Sequence, residues 1–217
     1  MTPRTSWAAA ALWLAVGVTP AQATDWTACE HDPSVTERFL PVELINGLPL
    51  PEQRVLQLAP VDRSYPFTGV YPSGEPAMQG QTTLKGPVEF RTGDGRTVQA
   101  YERAVPQAKE VIAITFPDEA MGRVYDSRAG LMHEAKFPIG LWKQGETRHH
   151  TATYFAAGRT GQARTSITIE KLQCRYDGVD GAVAFRWKVD DGRRGDYGYV
   201  FAPGRGLVRV IVYRRAG

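Results

Sequence analysis

Between Val183 and Val189 the chain alternates with a period of two: Val183, Phe185, Trp187 and Val189 are apolar, and Ala184, Arg186 and Lys188 stand between them. Successive side chains of a strand point to opposite faces, so this run predicts a strand with one dry face and one wet face. Asp190-Asp191-Gly192 and Gly195 then turn the chain, and Tyr197, Tyr199 and Phe201 resume an apolar face. Pro203-Gly204-Arg205-Gly206 makes another turn. Leu207 to Tyr213 is apolar on both faces, which predicts a strand lying centrally or covered on both sides.

Upstream, Ile167 and Ile169 alternate in one phase while Leu172, Cys174 and Tyr176 alternate in the other. One extra residue reconciles the two, which predicts a bulge near Glu170-Lys171. Bulges bend a sheet, and a long bent strand beside hairpins predicts a curved sheet or an open barrel. Pro87 to Arg91, the turn Thr92-Gly93-Asp94-Gly95 and Arg96 to Val105 read as a hairpin. Val111 to Phe116 reads as a strand or a short buried helix, closed either way by Pro117.

The stretch from Asp32 to Pro76 is dense in proline, which denies the N–H groups that helices and inner strands need. It reads as an arm wrapped on a scaffold made later. Ser34 and Glu37 have the spacing of a capping box, so a short helix is expected there, ended by Pro41. The expected fold class is mainly β: a single curved antiparallel sheet or open β-barrel over residues 81–217, with a proline-rich arm over 24–80.

Residues Met1 to Ala23 combine Arg4, an apolar core from Trp7 to Val18 and Ala21-Gln22-Ala23, the grammar of a cleaved secretory signal. The apolar core is about a dozen residues, short of the roughly twenty that cross a bilayer, so no transmembrane segment is expected after cleavage. Lipid attachment at Cys29 fits less well, because Trp26 departs from the small-residue box that precedes a lipidated cysteine. Removing the signal leaves 26 − 1 = 25 basic against 23 acidic residues, a balance that gives no electrostatic footprint for nucleic acid.

Export predicts an oxidising compartment, the periplasm or outside the cell, where the two cysteines, Cys29 and Cys174, should be joined. Cys29-Glu30-His31 with Cys174 as metal ligands is the alternative, without C-x-x-C spacing to support it.

No group of residues carries catalysis on its own. His149 and His150 are adjacent, so a strand would point them to opposite faces. None of Ser34, Ser64, Ser73, Ser127 and Ser166 lies in a G-x-S-x-G elbow, and Asp190, Asp191 and Asp196 crowd a turn. Gly93-x-Gly95 and Gly204-x-Gly206 precede no helix and read as hairpin glycines. No catalytic residue, metal or cofactor is therefore assigned. The aromatic residues Trp142, Phe185, Trp187, Tyr197, Tyr199 and Phe201 could line an apolar face that either the arm or a ligand must cover.

Tyr199-Val200-Phe201-Ala202-Pro203-Gly204-Arg205-Gly206-Leu207-Val208 resembles a closing motif of uncharacterised bacterial envelope proteins, and Phe137-Pro138-Ile139-Gly140-Leu141-Trp142-Lys143 is similar to a strand opening in the same kind of protein. The resemblance implies a curled β-sheet of the sort found in periplasmic lipoprotein carriers and envelope-integrity proteins. The expected function is non-enzymatic binding of a lipid, an acyl ligand or an envelope partner on one face of that sheet. An envelope hydrolase assembled from His133, His149 and Asp196 is the second expectation, and a structural or inhibitor-like interaction protein the third.

Overall fold

The computed structural model describes residues 28–47, 60–93, 95–105, 108–115, 120–126, 130–156, 159–189 and 196–213. The signal segment, Asp190 to Gly195 and Phe116-Pro117 lie outside the described residues. Described elements run in the order β1 (Glu30–His31), β2 (Glu37–Leu40), α1 (Val42–Asn46), β3 (Val61–Val70), β4 (Pro76–Arg91), β5 (Thr97–Val105), β6 (Ala108–Thr115) and β7 (Ala120–Asp126). They continue as β8 (Gly130–Lys136), β9 (Gly140–Lys143), β10 (Thr147–Ala156), β11 (Arg159–Tyr176), β12 (Val179–Val189), β13 (Asp196–Ala202) and β14 (Gly206–Val212). No helix among the described residues is long and apolar enough to cross a membrane.

The fold is mainly β, as the alternation implies. A 12-stranded sheet has the order β1-β11-β10-β8-β7-β6-β5-β4-β3-β14-β13-β12, and β2 pairs with β9 as a separate ribbon. The sheet is curled. Strand β11 gives residues 159–168 to β10 and 165–176 to β12, so the two flanks meet along one long strand. Its register slips between Ile169 and Lys171, where the change of phase places the bulge, and slips again before Cys174 and Tyr176.

Three expectations need correction. The sheet is not wholly antiparallel: β14 lies parallel to β3 over Arg209, Val210 and Ile211. The sheet also draws on residues before 81, with β1 on its edge and β3 running from Val61, because the prolines of the supposed arm fall where a strand tolerates them. Pro76 opens β4, and Pro66 precedes the stretch of β3 that β14 joins. Finally, Glu37 to Leu40 is strand, and the helix starts after Pro41, not before it. The Ser34 hydroxyl and N–H both go to Asp32 Oδ1, at 2.6 and 3.0 Å, so the serine closes a local turn instead of capping a helix.

In β12 the predicted dry face holds, with Val183 and Phe185 fully buried and Trp187 nearly so. Of the residues between, Lys188 is wet, Arg186 half-wet and Ala184 buried. Ala182 and Ala184 are buried beneath a second apolar layer containing Cys29, Cys174, Val200, Ala202 and Val208. Cys29 and Cys174 are joined, with 5.5 Å between their Cα atoms. The disulfide thus fastens the N-terminal segment across the outside of the sheet. Strand β14 is covered on both sides, as its sequence requires: Leu207 and Val210 belong to the inner core and Val208 to the outer layer.

Candidate binding face of the curled sheet

The aromatic residues singled out in the sequence do come together. Val183, Phe185 and Trp187 stand directly opposite Phe201, Tyr199 and Tyr197 in the β12–β13 ladder, and directly opposite residues share a face. Phe185 stacks on Tyr199 at 5.3 Å and on Phe201 at 5.6 Å, while Trp187 stacks on Tyr197 at 6.4 Å. Trp142 enters from the β2–β9 ribbon, its indole N–H donating to Ile139 O at 3.0 Å and its ring lying 3.9 Å beneath the Arg148 guanidinium.

This face is core, not an open groove. Leu40, Leu44 and Ile45, from β2 and α1, are fully buried against the same cluster. Each such side chain stabilises the folded state by about 2 kcal/mol through burial alone. Arg38 fixes the ribbon in place, donating through Nη1 to Leu172 O at 3.1 Å and Gly181 O at 2.9 Å. Of the two coverings the sequence allowed, the arm covers this end.

Another part of the inner face, on β3, β4 and β5, is more polar. Tyr65 stands opposite Thr82, and Leu84 is flanked by Arg63 on one side and Arg103 on the other. Arg103 is fully buried, with Cζ 5.5 Å from the ring centres of both Phe137 and Phe201, a placement in which the ring faces attract the cation. Arg63 lies over the Tyr65 ring at 5.3 Å. Tyr101 is buried, and desolvation, with the Glu43 carboxylate adding to it, pushes its phenol up to about 12. Sequence reading passed over both arginines. A signal existed: Arg103 shares the phase of Tyr101 and Val105, and Arg63 that of Tyr65 and Phe67, so each occupies an apolar position of its strand.

The scattered catalytic residues are not brought together. His149 stands opposite Ser166, Ser166 opposite Lys188 and Lys188 opposite Asp196, which separates His149 from Asp196 by three ladders, about 14 Å. Asp196 is held by Arg186, through Nε at 2.7 Å and Nη2 at 2.6 Å. His133 pairs with Thr153, four residues along β10 from His149 and about 13 Å away. His149 is exposed and His150 half-buried, on opposite faces. At the metal alternative, the bond between Cys29 and Cys174 leaves neither sulfur as a thiolate ligand, and His31 Nδ1 lies 3.3 Å from Gln173 O. Comparison with protein-family models, with curated proteins and with solved structures finds no match to this chain.

Proposed function

We propose that this is a non-enzymatic, exported binding protein of the bacterial envelope, working in the periplasm, that takes an apolar ligand such as an acyl chain on the inner face of its curled sheet. The observation that supports the reading is the division of that face. Its β12–β13 end is filled by the chain's own Leu40, Leu44 and Ile45, whereas its β3–β5 end sets the buried Arg103 and the half-buried Arg63 among Tyr65, Leu84 and Tyr101. A protein needing only a stable core gains nothing from a buried guanidinium, because desolvating a charge costs several kcal/mol even after relaxation. Mixed apolar and polar lining is instead the usual composition of a ligand site.

The experiment is native mass spectrometry of protein recovered from the periplasm, followed by analysis of its organic extract. A stoichiometric amphiphile is the expected result; protein that carries no adduct and gains no thermal stability from any added lipid removes the proposal. Export is checked separately by N-terminal sequencing, which should begin at Thr24.

An interaction protein is the second reading. The observation favouring it is the outer face of the β2–β9 ribbon, where Phe39 and Leu141 stand opposite each other at 45% and 52% exposure. Replacing both by serine should then abolish capture of an envelope partner without lowering stability.

A further inference from the structure

The two inner arginines differ in how their charge is accommodated. Arg103 has the faces of Phe137 and Phe201. Arg63 has the Tyr65 ring on one side, but its Nε and Nη2 are shielded from solvent and find no hydrogen-bond partner among the described residues. Those two atoms form one edge of the guanidinium, and elsewhere in this chain the same edge grips carboxylates. Arg186 presents it to Asp196 at 2.7 and 2.6 Å, and Arg175 to Asp180 at 2.8 and 3.2 Å. Two parallel N–H groups at fixed spacing match a carboxylate or a phosphate and little else.

A second group points the same way. Thr82 is fully buried, and its hydroxyl likewise has no hydrogen-bond partner among the described residues. It stands opposite Tyr65 in the β3–β4 ladder, and Arg63 stands opposite Leu84, so Thr82 and Arg63 are diagonal neighbours on one face. Buried polar groups in native proteins are nearly always bonded, and exceptions mark strain or the place of a bound species. The Arg63 and Tyr65 side chains are held by close packing on glycine backbone: an added Cβ at Gly47 would collide with Arg63 Nη2, and one at Gly206 would come within 2.7 Å of the Tyr65 hydroxyl.

We propose that Arg63 and Thr82 form the receptor for an oxyanion head group, a carboxylate or a phosphate, on the acyl ligand; this rests on the apolar-ligand reading above. The Arg63 edge takes two of the oxygens, the Thr82 hydroxyl donates to a third lone pair, and the chain of the ligand extends along the sheet.

The test compares delipidated protein binding palmitate, lysophosphatidate and the neutral monopalmitin by titration calorimetry. Wild type should bind at least one of the two anions ten or more times more tightly than monopalmitin, and which anion it prefers identifies the head group. Arg63→Gln should erase that preference, bringing the affinity for the anions down to that for monopalmitin. Arg63→Lys should keep part of it, and Thr82→Val should reduce it several-fold. Equal wild-type affinity for anionic and neutral ligands overturns the receptor, as does an unaltered preference in folded Arg63→Gln. Failure to bind any of the three ligands overturns the apolar-ligand reading itself. If Arg63→Gln does not fold, the wild-type preference and Thr82→Val decide.

Discussion

Gly47 closes α1 in the left-handed region, at φ 66°, and the amide nitrogen of Gly206 lies 2.5 Å from where a Cβ on Gly47 would stand. Any side chain there meets both a backbone penalty and a backbone neighbour that cannot rotate away. Gly47→Ala should therefore destabilise the protein by about 2–4 kcal/mol, read as a lower urea midpoint at an unchanged slope. Tyr101 makes a different prediction. Its folded value is raised to about 12 from the ordinary 10.0, first by burial and then by Glu43. Its contribution is complete below pH 10, and as the pH climbs from there toward 12 the unfolded chain gives up the proton first, so stability falls with rising pH. Tyr213, raised for the same main reason, acts in the same direction. Melting temperatures between pH 9 and 12 should thus fall less steeply for Tyr101→Phe than for wild type. Residues of this kind were only partly legible. The apolar phase of Tyr101 is written in the hairpin pattern, but the proximity of Gly47 to Gly206 joins positions 159 apart and has no local signature.

Among elements, legibility followed how local the deciding interaction was. The bulge before Lys171 could be read because a change of phase is recorded in the strand's own residues. The β4–β5 hairpin could be read because its turn joins Arg91 to Thr97, with the Thr92 N–H donating to Arg96 O and the Gly95 N–H to Thr92 O inside it. Strand β2 could not, because what makes it a strand is β9, a century of residues later: Arg38 stands opposite Trp142 and Phe39 opposite Leu141. A weak local helix signal was overruled by tertiary pairing. The consequence is testable on the element that follows. Leu44 is fully buried beneath the aromatic rows, so Leu44→Ala should cost about 2–5 kcal/mol, measured by denaturant unfolding. Arg38→Met should cost about 2 kcal/mol, since Leu172 O and Gly181 O lose a charged donor. Hydrogen exchange in Arg38→Met should rise in β2 and β9 before it rises in β12.

For the molecule as a whole, the disulfide spans 145 residues and ties a short N-terminal strand to the longest strand of the sheet. A loop of that length contributes up to about 5 kcal/mol by restricting the unfolded chain. Cys29→Ala with Cys174→Ala should lower stability by several kcal/mol, and reductant should lower the wild-type melting temperature toward that of the double variant. The parallel ladder between β3 and β14 carries a further consequence. The first long strand of the sheet finds one of its neighbours only in the last strand described, more than 130 residues downstream. A chain emerging from a ribosome or a translocation channel N-terminus first cannot complete its architecture until that final segment has been delivered. Such late closure delays folding, leaving the earlier strands without their final partner until synthesis is nearly finished.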